Sequence, residues 1–411
     1  MSIAIPILAL NTPRTLRRTS VAATVMAFME EWILAKDQRI HEAQQASEAS
    51  TAANPALRLS RRDVIRMSVA SVAGLAMPAI WTSAKADTKR LVVRDSGGVY
   101  TDVYTRTLYK PFQQATGIEV VGVASNAEPT AQIKSIVDTG AKSWDMAELS
   151  FPAVYLLSRG DKAYLEPHLQ EKQSSVMSIP AQFVDRFSVG HNVYTTVMTY
   201  RKDIAKGNAA PSSWQDFWNT EKYPGRRALR KFPFDTIEES LMAAGVPAAN
   251  VYPCDLDHAF KSLDKVKPKI DIWWTSGAQS EQILESGEVA MASAWLARVL
   301  PAIDAGAPLA ISWNGHVYGP QGWGILKGGA NVDACRQFVA FCADPKRQAD
   351  VANALTVGPT QPDAFKYISA SRARNLPTFP DNLKLGLRIN PSYWPAHQDA
   401  ALERFNDWIL S

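Results

Sequence analysis

Lys89-Arg90-Leu91-Val92-Val93-Arg94-Asp95, followed at once by Ser96-Gly97-Gly98, is the stretch from which the fold can be read. A short apolar run closed by a glycine turn predicts a buried strand. Helical spacing follows over 104–116, then a second strand at 117–123 and a loop from Ser125 to Pro129. A helix over about 130–139 stops at Gly140, and Trp144-Asp145-Met146-Ala147-Glu148 reads as a third strand. Strand, helix, strand, helix, strand at this spacing means a parallel sheet with right-handed crossovers. Ligands then sit at the loops that follow the strand C-termini.

A second α/β set lies downstream. The segment 193–200 is strongly β and is expected to leave the first lobe. Strands are expected at 228–230 and 289–294, with helices at 235–244, 256–263 and 279–285, the last closed by Gly287. Strands at 309–313 and 322–326 would return the chain, and helices from Asp333 onward finish it. The expectation is an α/β fold of two lobes, each a mostly parallel sheet flanked by helices, joined by hinge strands around a cleft. The first lobe would take 87–195 and 319–365, the second 196–318, and C-terminal helices 366–411.

Upstream, Ser60-Arg61-Arg62-Asp63-Val64-Ile65-Arg66 precedes a 15-residue apolar run, Met67 to Trp81, and then Ala84-Lys85-Ala86. That run is shorter than the roughly 20 residues a spanning helix needs. A basic flank, a short apolar region and an A-x-A site make a signal peptide over 60–86, cut after Ala86. The Ser-Arg-Arg start resembles the twin-arginine class, so a periplasmic location is expected. Residues 1–59 read as an unstructured extension, or as a region ahead of a true start at Met26 or Met29.

Charge narrows the function. The formal excess of +4 comes from residues 1–86, with 10 Lys/Arg against 6 Asp/Glu; the rest carries 34 of each. A neutral mature surface argues against nucleic acid as a partner. Twelve Trp residues exceed what a core needs and point to rings serving a ligand. Cys335 and Cys342 share one helix and would lie about 10 Å apart, too far to bridge. Cys254 is left able to pair with either. No histidines stand at metal-ligand spacing, and no nucleophile, zincin or C-x-x-C motif occurs, so no metal, cofactor or catalytic residue is expected.

Several phrases in order carry a resemblance: Pro111 to Val120, Pro211 to Phe217, Lys222-Tyr223-Pro224-Gly225-Arg226, Tyr252 to Asp257, Gly287-Glu288-Val289 and Gly358-Pro359-Thr360. Over about 260 residues they resemble the polyamine-type group of extracellular solute-binding proteins, the receptors of ABC importers. The resemblance implies a type II periplasmic-binding-protein-like fold that closes over a small ligand and is recognised by an inner-membrane ABC permease. It implies a monomer that is not an enzyme. An exported enzyme or a sensor subunit on the same scaffold is the alternative.

Candidate ligand residues follow. Ser96 and Gly97 form either a tight turn or a site where backbone N–H groups approach a ligand. Tyr100 is a cleft wall or a helix anchor. Glu128 and Glu148 each follow a strand; Glu148 is the expected partner of a ligand ammonium, and Glu128 reads as a surface carboxylate. Asp235 and Glu238 have capping-box spacing, read first as structural, while the resemblance implies a ligand-binding acidic pair. Arg230 holds Asp235 or a ligand carboxylate. One indole of Trp273-Trp274 is expected to stack on the ligand, with Thr275 or Ser276 capping the next helix. The resemblance makes Trp295 an aromatic wall, and Arg298 shares its face. No Asp or Glu occurs between Asp304 and Asp333, where polyamine receptors carry a carboxylate; Tyr318 and Gln321 are offered instead. The ligand is therefore a polyamine or a zwitterionic amine, with the missing carboxylate favouring the zwitterion.

Overall fold

The first parallel unit forms as its sequence dictates. Strand β1 (Arg90–Asp95) pairs in parallel with β2 (Glu119–Ala124) on one side and β3 (Met146–Ser150) on the other. The computed structural model describes residues 90–411 except 126, 127, 161 and 206. The export segment 60–86 and the extension 1–59 lie outside the described residues. The helix Thr130–Thr139 ends on Gly140 at φ 69°, the left-handed conformation that glycine adopts without a Cβ clash. Ser150 caps the helix Phe151–Ser158 by accepting from the Ala153 N–H at 3.3 Å.

The first crossover starts earlier than its spacing predicts. A helix over Val99–Tyr104 passes through a π-turn, Thr105–Tyr109, into Lys110–Thr116. A π-turn adds a residue to one turn. Here Tyr104 and Tyr109 both reach inward, to Glu148 and Asp95.

Two short strands, β4 (Leu165–Glu166) and β5 (Val184–Asp185), precede β6 (Ser188–Arg201). The second unit holds β7 (Arg227–Arg230), β8 (Ile270–Trp274) and β9 (Met291–Trp295), with β7 parallel to both neighbours. Next, β10 (Leu309–Leu326) pairs antiparallel with β3 and β6, and β11 (Leu387–Arg388) adds to its edge. The sheet order is β2-β1-β3-β10-β6-β9-β7-β8. At about 3.3 Å per residue the 14 residues of β6 span roughly 45 Å, enough to serve both halves. The strands expected at 309–313 and 322–326 are one strand, β10.

Neither crossing strand is regular. Ser312 pairs with Met198 and Val317 with Thr196, so four residues of β10, 313–316, face Val197 alone. Gly315 takes φ 71° in this excursion, and its carbonyl accepts from the Trp214 indole at 2.8 Å. Gln321 pairs with Asn192 but Gly322 with Gly190, which leaves His191 as an extra residue. That is a β-bulge, and it turns consecutive side chains toward one target.

The two halves have separate cores. Leu91, Val93, Tyr104, Phe112, Trp323 and Phe338 belong to the first. Trp214, Phe217, Leu229, Ile237 and Phe260 belong to the second, joined by Trp394, Ala401 and Phe405 of the helix Trp394–Leu410. Full burial of each large ring is worth about 1.5–3 kcal/mol, so this helix is firmly attached to the second core. Cys254, Cys335 and Cys342 are buried free thiols.

Candidate functional site

The cleft floor is one face of the crossing strands. Register places Asn192, Tyr194 and Thr196 of β6 beside Gln321, Gly319 and Val317 of β10. The Asn192 amide donates to Glu148 Oε1 at 3.1 Å, and the Thr196 hydroxyl donates to Asp235 Oδ2 at 3.0 Å. A single strand face thus touches a buried carboxylate of each lobe, with Tyr194 between them. Gly319 lets the Tyr194 side chain lie close to β10: a Cβ would stand 2.8 Å from its hydroxyl oxygen.

On the first-lobe wall, Glu148 is 1% exposed. Oε1 accepts from Tyr104 at 2.5 Å, His191 Nε2 at 3.1 Å and Asn192, while Oε2 accepts from Ser96 at 2.8 Å. Burial pushes this carboxyl up, but the bond and charge of His191, with Tyr104 and Ser96, outweigh it and hold the group below its ordinary range. The bulge at His191 is what delivers both His191 and Asn192 to it. Asp95 organises the turn beneath: it accepts from the Gly97 N–H at 2.9 Å, the Tyr109 hydroxyl at 2.8 Å and Thr101.

Glu128 differs. Its side chain is exposed to solvent, yet the protein around it pushes its carboxyl up, countered by hydrogen bonds from Ser150 and the charge of Arg94. Ser150 and Arg94 place this carboxyl beside the C-terminal end of β3. Burial raises the Tyr194 hydroxyl, and Asp235, Glu128 and Glu238 add to the shift while Arg230 opposes it. Charges from both halves therefore converge on one floor residue. Half-buried Tyr100 is pushed up to about 12 by burial and Glu148, with Arg298 of the other lobe pulling it down.

The second-lobe wall is built on an aromatic cradle for a cation. The Arg230 guanidinium lies 5.0 Å from the Trp295 ring centroid and 4.7 Å from that of Phe232, and bonds Asp235 at 3.1 Å. Asp235 is 2% exposed and stands at φ 69°, ψ −52°, a strained γ-turn geometry inside the segment Pro233–Ala243. Such a backbone costs about 1–3 kcal/mol and is typical of ligand clamps. Burial raises the Asp235 carboxyl against the opposing pull of Arg230 and Thr196. Arg298 bonds Glu281 at 3.0 Å and lies over Gly277, where a Cβ would meet its Nε at 2.8 Å.

Residues 107–378 of this chain match the family described as bacterial extracellular solute-binding protein. The chain belongs to that family. A gamma-aminobutyric acid-binding protein of Pseudomonas aeruginosa is 35% identical over 347 residues, 82% of this chain and 95% of that protein. The spermidine/putrescine-binding periplasmic protein of Salmonella typhimurium is 23% identical over 297 residues, 69% and 82% of the two chains. A solved GABA receptor superposes with TM-score 0.70 at 30% identity, covering 78% of this chain and 98% of its own. This is a two-lobed ABC-transporter substrate-binding protein of an extracellular family, a binder of small solutes and not an enzyme. Among the described residues no helix is long and apolar enough to cross a membrane. The polyamine-type resemblance holds only for the wider family, since the polyamine-binding relative is the more distant.

Within this solute-binding protein several expected site residues are otherwise engaged. Trp274 is 1% exposed, its indole N–H donating to the Ser293 carbonyl at 2.9 Å; it backs Trp295 edge-on at 5.1 Å and is core, not wall. Trp273 faces Phe405 and Trp408. Tyr318 is 5% exposed on the opposite face of β10, with Thr195 and His316, packed where a Cβ on Gly386 would touch it. The Gly97 N–H is taken by Asp95, and Glu148 has both oxygens occupied, so neither awaits a ligand. Ser276 caps its helix by accepting from the Gln279 N–H at 3.2 Å. Asp235 and Glu238 form no capping box: Asp235 turns to Arg230 and Thr196, and Glu238 to Tyr252 and Trp394. Ser96 donates to Glu148, Arg230 and Asp235 bond each other, and Arg298 bonds Glu281, while Tyr100, Trp295 and Gln321 are half-buried. Glu128 is exposed, as its reading as a surface carboxylate expected. Tyr194 and Thr196, which the sequence did not nominate, share the face of Asn192, and the i, i+2 alternation of β6 was the available signal for them.

Proposed function

We propose that this protein captures a short zwitterion with one amine and one carboxylate, of the γ-aminobutyrate kind, for delivery to an inner-membrane permease. The observation that carries this reading is the pairing of opposite charges around Tyr194, solvent-reachable Glu128 on one side and Arg230 on the other, with Arg298 acting on the nearby wall residue Tyr100. Asp235 is buried and bonded to Arg230 and Thr196, and Glu148 is buried under four donors, so Glu128 is the exposed carboxylate that this reading assigns to an ammonium. The ammonium goes to Glu128 and the carboxylate to the arginines, with the methylenes against Trp295. Charge-assisted bonds in a cleft are the strong kind. Ligand touching both walls favours the closed form by differential contact. The γ-aminobutyrate binders among its relatives support the same class.

Calorimetry of the purified protein with γ-aminobutyrate and putrescine tests this. The expected result is at least about 100-fold tighter binding of γ-aminobutyrate, because a second ammonium would face a guanidinium. Equal or tighter binding of putrescine rejects the proposal.

A further inference from the structure

The helix Trp394–Leu410 reaches the ligand wall through one side chain. Trp394 is fully buried, and its indole stacks on Phe234 with ring centroids 4.1 Å apart and planes 28° from parallel. Phe234 stacks on Phe232 at 5.3 Å and 12°, and Phe232 lies 4.7 Å from the Arg230 guanidinium carbon. A continuous column therefore runs from the C-terminal helix to the cleft cation. The same indole acts a second time: its N–H donates to Glu238 Oε1 at 2.7 Å, an oxygen that also accepts from the Tyr252 hydroxyl.

Phe234 and Glu238 bracket Asp235, the residue at φ 69°, ψ −52° that bonds Arg230. A sparsely populated backbone persists only where its surroundings over-determine it. One indole holds the residue just before Asp235 and the residue one turn after it. Removing that indole takes away the stack on Phe234 together with one of the two donors that hold Glu238.

We infer that Trp394 is a positioning residue for the ligand: it fixes the strained Asp235 and, through the Phe234–Phe232 stack, the Arg230 guanidinium. The C-terminal helix is then part of the binding apparatus and sets the pre-organisation of the second-lobe wall. A pre-organised site binds more tightly because less is ordered on binding. The inference rests on the reading that ligand meets Arg230 and Asp235.

The test compares Trp394→Leu, Trp394→Phe, Phe405→Leu and Arg230→Gln by calorimetry, with γ-aminobutyrate as the probe, and by thermal unfolding. Trp394→Leu should weaken binding about 30-fold, and Trp394→Phe, which keeps a ring on Phe234 but cannot donate to Glu238, about fivefold. Phe405 sits on the same helix, packed against Phe260 and Trp408. Phe405→Leu should lower the thermal midpoint yet hold Kd within about twofold, since its loss is only of packing. The inference is overturned if both Trp394 variants bind within about twofold of the parent, or if Phe405→Leu weakens binding as much as Trp394→Leu. Should Trp394→Leu not fold, Trp394→Phe decides by the same twofold limit. An Arg230→Gln protein that binds as tightly as the parent rejects the site reading itself, independently of Trp394.

Discussion

Two first-lobe carboxylates, Glu128 and Glu148, stand in opposite surroundings, one exposed and one buried. Glu148 is sealed beneath Tyr104 and Trp323, whose rings lie 5.6 Å apart, and spends its oxygens on Ser96, Tyr104, His191 and Asn192. Removing one partner of a buried charged pair leaves the other uncompensated and costs about 3–5 kcal/mol. Glu148→Gln should therefore lower the stability of the protein by about 3 kcal/mol in a urea titration. Glu128 is open to solvent, with Ser150 bonded to it and the charge of Arg94 nearby. Its charge is available to a ligand, and a hydrogen bond to a charged group contributes about 1.5–3 kcal/mol. Glu128→Gln should weaken γ-aminobutyrate binding about 10- to 100-fold with an unchanged urea midpoint. Interchanged outcomes, with Glu128→Gln unfolding the protein and Glu148→Gln losing only ligand, would reject this division of labour. Sequence favoured Glu148 because 147–151 was expected to open directly onto the cleft; nothing in a strand end says how many donors will converge on it from residues 43 and 44 positions away.

Elements were legible where periodicity is local. Apolar runs and glycine stops located β1, β2, β3, β7 and β9 to within two residues, and the caps at Gly140 and Gly287 hold at φ 69° and 68°. What stayed hidden depends on pairing. The bulge at His191 and the excursion at 313–316 exist only relative to a partner strand, so neither leaves a mark in one strand's own alternation. The same limit governed Trp273 and Trp274: alternation puts their indoles on opposite faces of β8, yet the face covered by the C-terminal helix is a property of the whole topology. Likewise Asp235 and Glu238 have cap spacing, but the donors from β6 and the C-terminal helix captured them first. One element-level consequence is open to test. Gly319 lies under the Tyr194 ring, and an added Cβ would stand 2.8 Å from its hydroxyl, the mobile end of the side chain. Gly319→Ala should displace Tyr194 at modest cost, within about 1 kcal/mol of parent stability. Binding should nonetheless fall about tenfold, because the floor between the two charged walls has moved. A Gly319→Ala protein with parental affinity would show that Tyr194 is not part of the ligand surface.

At the scale of the whole molecule, the ligand wall is held in place by buried acids that oppose the fold as pH rises. Burial pushes the Glu238 carboxyl up to about 7, with Asp235 adding to the shift and Tyr252 and Trp394 restraining it. Glu239 is driven well above the usual carboxylate range by burial and by Asp235, although Ser293 donates to it at 2.6 Å. In the unfolded chain both ionise near 4.3. Below that value both states are protonated and the groups cost nothing. As pH rises from there toward 7, the unfolded state releases a proton that the folded state keeps, so stability declines. Above about 7 Glu238 is ionised in both states and its contribution no longer changes. Linkage puts the loss from Glu238 alone at about 4 kcal/mol, and Glu239, shifted in the same direction, adds to the decline. Glu148 has the opposite sign: its folded value is depressed, so its stabilisation is present above the usual carboxylate range and disappears only in stronger acid. Stability should thus peak in mildly acidic solution and fall between pH 5 and 8. Urea unfolding across that interval should show the decline, and Glu238→Gln, which cannot ionise, should make it shallower while Glu239 leaves part of it in place. A stability that is level or rising from pH 5 to 8 would mean that these carboxylates are not buried behind the ligand wall as this fold requires.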